Sequence, residues 1–167
     1  MNITHDLHYG GTLTEVLEVL SSEELVFRRL QEVGHPDYDV VREEVDGKAR
    51  TTLTVVAGPN QIPDQLSMFL GKSATVTITS VETVTDAGAQ IDYLVSTKLP
   101  VKCTARILLV DTDSGTAGKL ELQLKVSVPF AGAMIERGIE NKVPEILVKD
   151  TALVNELLVK ARGEYND

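Results

Sequence analysis

Residues 128–161 read VPFAGAMIERGIENKVPEILVKDTALVNELLVKA. Within this stretch Met134, Ile135, Ile139, Val143, Ile146, Leu147, Leu153, Val154, Leu157 and Leu158 recur at steps of three and four. That spacing predicts an amphipathic helix of roughly thirty residues, starting after Pro129 and ending near Ala161. Pro144 lies inside it, which frees the Glu140 carbonyl and is expected to kink the helix there. Gly138 has no side chain, so it is the expected point of close approach to a neighbouring layer. A stripe of this length has to be covered by something, and the rest of the chain must supply the cover.

Immediately upstream the period changes. Leu120, Leu122, Leu124, Val126 and Val128 alternate with Lys119, Glu121, Gln123 and Lys125, the pattern of a half-buried strand with one wet face. Working backwards, DTDSGTAG (111–118) is expected to be a loop, and Val101–Val110 a strand that starts after a bend or bulge at Leu99-Pro100. Ala89–Thr97 and Ser73–Val84 are two more strands, joined at Asp86-Ala87-Gly88. Residues 61–71, QIPDQLSMFLG, are expected to be irregular or to form one or two helical turns. Before them Asp46-Gly47 joins Tyr38–Val45 to Lys48–Ala57 and is the strongest hairpin signal in the chain.

The N-terminal third begins with an alternating strand, NITHDLHY (2–9), in which Ile3, His5, Leu7 and Tyr9 share a face. Gly10-Gly11 ends it. Two capped helices follow. Thr12 with Glu15 forms one capping box and Ser21 with Glu24 a second, and Gly34 stops the second helix.

The element order is therefore strand, two short helices, six strands in hairpin succession, and a long helix. Short turns make the strand neighbours antiparallel, and only the terminal helix is long enough to cover their common face. The expected fold class is α+β: a seven-stranded antiparallel sheet wrapped around a long C-terminal helix in a helix grip. There is no repeat or low-complexity linker, so residues 1–167 are read as a single domain.

This order is similar to that of the START-like superfamily, also called the polyketide-cyclase or Bet v 1-like (SRPBCC) superfamily. Within it, the opening I…DLHY (Ile3, Asp6–Tyr9) and the stretch VPFAGAMIERGIENKVPEIL resemble an actinobacterial group of proteins of unknown function. The resemblance implies a bacterial protein with a cavity between sheet and last helix, of the kind that members use for lipids, sterols, hormones or polyketide-like compounds and in a few cases for catalysis. The superfamily has no universal catalytic motif, so no catalytic residue is implied.

Composition excludes several classes. Of the formal net charge of −9, residues 1–46 carry −8, and no basic stripe relieves it. Nucleic acid and anionic membrane surfaces are therefore poor partners. No run approaches the ~20 apolar residues of a membrane helix. The N-terminus lacks the basic start and apolar run of a secretory signal, and the one cysteine cannot close an internal disulfide. The chain is read as cytoplasmic. His5 and His8 point to opposite strand faces, and no HExxH or CxxC is present, so neither a metal site nor a cofactor is expected.

The site candidates are polar or adaptable groups on apolar faces. Tyr93 lies with Ile91 and Val95, where a phenol needs a partner from protein, water or ligand. Cys103 shares a face with Val101, Ala105 and Ile107, which reads equally as an inert buried thiol. Arg106 shares the Thr104/Leu108 face and is either a cavity group or a solvent-facing one. Met68, Phe69, Phe130 and Met134 are candidates for a pocket mouth, with ordinary core as the alternative. Three functions stay open: a binder of a hydrophobic small molecule or lipid, a cyclase- or hydrolase-like enzyme using the same cavity, and a filled domain acting through protein contacts. The ligand and the oligomeric state are not legible.

Overall fold

The computed structural model describes residues 1–61 and 73–165, and the positions of Met68 and Phe69 lie outside the described residues. Strand β1 (Asn2–Tyr9) is followed by helices α1 (Leu13–Leu20) and α2 (Glu23–Gln31). Strands β2 (Asp37–Val45), β3 (Lys48–Ala57), β4 (Ala74–Thr85), β5 (Gly88–Thr97), β6 (Val101–Thr112) and β7 (Gly115–Val126) come next, and helix α3 (Gly132–Tyr165) closes the chain. The seven strands form one sheet in the order β1-β7-β6-β5-β4-β3-β2, every pair antiparallel. The fold is the expected α+β helix grip. No described helix is long and apolar enough to cross a membrane.

Local chemistry explains most of the boundaries. Asp46 and Gly47 both have positive φ (54° and 77°), as a two-residue hairpin turn of the primed type requires. The Thr12–Glu15 capping box forms as expected, and the Asp111 carboxylate accepts from the Leu13 amide at 2.8 Å, so α1 begins with its free amides satisfied. The second cap differs from expectation by one residue. Ser22, not Ser21, accepts from the Leu25 amide, because Ser21 is already the C-cap of α1. Gly34 stops α2 at φ 89°, with the His35 amide bonded to the Leu30 carbonyl and the Gly34 amide to that of Gln31.

The expected loop over 111–118 is instead a tight hairpin, with Thr112 opposite Gly115 and β7 extending four residues further upstream. Its turn-rich composition concealed a strand whose partner is distant in sequence. β1 pairs along it from Asn2↔Gln123 to Tyr9↔Thr116. Thr116 is fully buried, and its hydroxyl donates to the Gly11 carbonyl at 2.8 Å. Gly115 is required there: at φ 132° a Cβ would stand 2.2 Å from the Tyr9 carbonyl oxygen.

Helix α3 runs through Pro144 without a break in its helical assignment. Its buried positions include Ile135, Val143, Val154, Leu157 and Leu158, while Met134 and Ile146, expected on the same stripe, are exposed. The helix packs chiefly on β1 and β7 and on α1 and α2. The glycine that brings it close to the sheet is Gly132, where a Cβ would lie 2.4 Å from the Val126 carbonyl oxygen; at Gly138 a Cβ would meet nothing. The Glu136 carboxylate also accepts from the Val126 amide at 3.0 Å, tying the first turn of α3 to the end of β7. The larger core cluster joins Leu25, Val16, Val154, Leu157, Leu158 and Leu109; a smaller one gathers Leu124, Val126, Val128 and Ile135.

At the far end of α3, Arg162 binds Glu15 through two nitrogens at 3.0 Å. Hydrogen bonds from Arg162 and from the Thr12 amide hold the Glu15 carboxyl down to about 2. A carboxyl depressed in the folded state stabilises it above the ordinary glutamate value, and that contribution is lost as pH falls toward the folded value. Titration of Glu15 by NMR should show it ionised to about pH 2, and Arg162→Ala should return its midpoint toward the ordinary range.

Candidate functional site

Because α3 covers the β1–β7 side of the sheet, the other side has a different roof. Helix α2 crosses the inner face of β3, β4 and β5, and between them lies a cavity of about 520 Å³. Sequence reasoning placed the cavity between the sheet and the last helix. Among the described residues no α3 side chain lines it. The reason is length and position: α3 is consumed by β1, β7 and the two short helices.

Strand register arranges the floor in rows. Leu53 stands opposite Ile78, and with Val55, Val26 and Leu30 it makes an aliphatic wall. One row along, Thr51 stands opposite Ser80 and Ser80 opposite Tyr93. Glu82 follows on the same face, opposite Ile91. The cavity therefore has an apolar part and a polar part on adjoining rungs of one sheet.

The polar part is backed by an ion pair that joins two helices. Arg29 of α2 donates to Asp150 of α3 through Nε at 2.7 Å and Nη2 at 2.8 Å, a bidentate fork. Burial opposes the Arg29 charge, but the hydrogen bonds and charge of Asp150 outweigh it and hold the guanidinium above its ordinary range. The side chains remain 37% and 25% exposed, since Arg29 borders the open cavity although protein surrounds it. Burial pushes the Tyr93 phenol above its ordinary value, with Arg29 pulling against it and Asp150 adding to it. Burial, then Asp150, does the same to Tyr9. Both phenols are neutral at physiological pH and available to donate or accept hydrogen bonds. Burial also raises the carboxyl of Glu82.

Of the sequence candidates, Tyr93 lines this cavity. Cys103 lies on the inner face beside the smaller core cluster, and burial raises its thiol. Arg106 is on the outer face: its Nε donates to Asp92 at 2.7 Å, directly across the β5–β6 ladder, so it does not reach the cavity. Phe130, at φ 64°, and Met134 are exposed at the start of α3. Sequence reasoning missed Arg29, Asp150, Ser80 and Glu82. A signal was present for the ion pair: Arg29 is four residues after buried Leu25, and Asp150 is four before buried Val154, so each interrupts an apolar stripe.

A second hollow of about 610 Å³ lies between α1 and the end of α3. The Glu15–Arg162 and Glu24–Lys160 pairs border it and it faces bulk solvent, so it lacks the enclosure of the first.

Residues 4–158 match the family described as "Protein of unknown function (DUF2505)". The chain belongs to that family. No curated protein matches the sequence. Solved structures place the DUF2505 chain in a wider fold group. It is similar to a protein from Thermus thermophilus at 16% identity and TM-score 0.61, covering 97% of this chain and 99% of that one. It is similar to the di-domain aromatase/cyclase of the steffimycin biosynthetic pathway at 14% identity and TM-score 0.60, covering 98% of this chain but 51% of that one, so it spans about half of the larger protein. A START superfamily protein from Mycobacterium smegmatis matches at 13% identity and TM-score 0.50 over 99% of both chains. The fold of this DUF2505 member is thus START-like, shared with the aromatase/cyclase of the steffimycin pathway.

Proposed function

We propose that the chain, acting as a single domain over residues 1–167, binds a hydrophobic small molecule or lipid in the cavity under α2. The observation that carries this is the cavity itself: about 520 Å³, walled by Leu53, Val55, Ile78, Val26 and Leu30, with hydrogen-bonding groups gathered at one end. Concave, mostly apolar sites with a few convergent polar groups are where small ligands bind. The START-like neighbours support the reading, one of them being an aromatase/cyclase of a biosynthetic pathway. The reading takes the protein as cytoplasmic and in need of no cofactor. An enzyme in this cavity would have Glu82 and Tyr93 among the titratable groups that line it.

Native mass spectrometry of freshly purified protein, followed by organic extraction, tests the proposal. A stoichiometric apolar compound is expected. A clean apo mass that does not shift with lipid or polyketide panels would favour a filled domain that works through protein contacts. Ile78→Trp is the companion test. Placed on the cavity wall, the indole should occupy free volume, leave the melting temperature nearly unchanged and weaken apolar ligands about tenfold or more. In a filled interior the same change would cost ~1–3 kcal/mol from overpacking. Tyr93→Phe should alter ligand affinity by about 1 kcal/mol while leaving the fold intact, the usual worth of one neutral hydrogen bond.

A further inference from the structure

We propose that Arg42, with Thr51, Ser80 and Tyr93 in line beside it, forms a head-group subsite that selects ligands ending in a carboxylate, their aliphatic body running inward over Leu53 and Ile78. The inference rests on the binding reading above and adds the chemistry of the ligand's polar end.

Register puts the four polar residues on one rung. Arg42 stands opposite Thr51, Thr51 opposite Ser80, and Ser80 opposite Tyr93, and all four line the cavity. Each can donate a hydrogen bond, since burial keeps the proton on the Tyr93 phenol. Among the described residues none of the four has a side-chain hydrogen bond or ion pair. No buried polar side-chain atom there is left without a partner, so the Tyr93 hydroxyl is open to the cavity rather than sealed in the wall. The adjoining rung is aliphatic, with Leu53 opposite Ile78. A row of donors beside a row of hydrocarbon suits a ligand with one polar end.

The sign of the preference comes from which cation is unmatched. Three arginines line the cavity. Arg29 is held by Asp150, and Arg50 by Glu43, its register partner. Arg42 is the uncommitted one among the described residues. It is exposed on the edge strand β2, so it stands at the rim, where the head of a ligand comes to rest once its tail lies under α2. A guanidinium fork fits a carboxylate through two parallel hydrogen bonds, and the Thr51 hydroxyl, one strand further in, adds a third donor. Glu82 is the acid that opposes this. It lies on β4, two strands from Arg42 and one rung further along. Strand spacing sets those backbones ~10 Å apart. Across that distance at a wet rim, repulsion weakens a carboxylate only about twofold, against a gain of about tenfold from one charge-assisted hydrogen bond.

The test is isothermal titration calorimetry at pH 7 with decanoate, decanol and decylamine, each below its micellar concentration or solubility limit. The chain's net charge of −9 works against any general attraction of anions, so an advantage of the acid is local. Wild-type protein should bind decanoate tightest, about tenfold tighter than decanol. Arg42→Gln should bring decanoate to within about threefold of decanol and leave decanol itself within about threefold of its wild-type affinity. Arg42→Lys, which keeps the charge but not the fork, should restore part of the margin. Decanoate binding no tighter than decanol or decylamine would overturn the subsite alone, and so would a margin that survives Arg42→Gln. Failure of all three to bind removes the ligand-binding reading and the subsite with it. The wild-type ranking decides the matter without a variant should Arg42→Gln fail to fold.

Discussion

Leu25→Ala will destabilise the protein by about 3 kcal/mol, in the middle of the range for emptying a buried leucine site. Leu25 is 0% exposed and is the buried residue through which α2 enters the main core, beside Val16, Val154 and Leu158. The truncation removes transfer free energy and leaves a void that Val16 and Val154, β-branched and held in their own helices, cannot fill by rotation. For a domain of this size the melting temperature should fall by about 10 °C. Circular dichroism melts against Leu25→Met, which should cost under about 1.5 kcal/mol, separate lost volume from general sensitivity. There is a functional consequence as well. α2 carries Val26, Arg29 and Leu30 over the cavity, so a loosened α2 should admit an apolar dye faster than the wild-type roof. A drop below about 1 kcal/mol would mean that α2 is anchored elsewhere.

Asp150→Ala is the second large effect. Losing one partner of a fully buried pair costs about 3–5 kcal/mol because the other charge stays behind. Here the Arg29 and Asp150 side chains keep 37% and 25% of their exposure, so solvent screening reduces the expected loss to about 2 kcal/mol. Replacing both at once, with Arg29→Met and Asp150→Leu, should recover most of that loss, since no uncompensated charge remains. Urea unfolding of the two single variants and the double variant gives the coupling directly. Additive losses would show that the pair contributes nothing beyond its separate side chains. The same pair fixes where α2 sits relative to α3, so Asp150→Ala should also weaken any ligand held beneath α2.

Much of the architecture was legible because its signals are local. The hairpin at Asp46-Gly47 needs two residues able to take positive φ, and the sequence places an Asp and a Gly there. The alternation from Leu120 to Val126 and the three-and-four spacing from Ile135 to Leu158 each reflect a period set by backbone geometry alone. The Thr12–Glu15 box is complete within four residues. Where readings failed, a distant partner decided. Gly115–Gly118 looked like a loop until β1 paired with it, more than a hundred residues away along the chain. Gly138 looked like the contact glycine, but the Val126 carbonyl lies against Gly132.

The candidate site divides along the same line. Tyr93 was visible as a polar residue on an apolar face, and alternation sufficed to point it inward. Arg106 carried the same kind of ambiguity, and only the pairing of β5 with β6 settled it by setting Asp92 opposite. The sequence by itself determined the elements, their antiparallel succession and the inward face of each strand, because periodicity and turn chemistry act over a few residues. Tertiary structure alone decided which half of the sheet α3 covers, hence that the cavity lies under α2, and that Arg29 meets Asp150 across 121 positions. Those outcomes depend on how helices of fixed length share one curved sheet, and no short-range pattern encodes that.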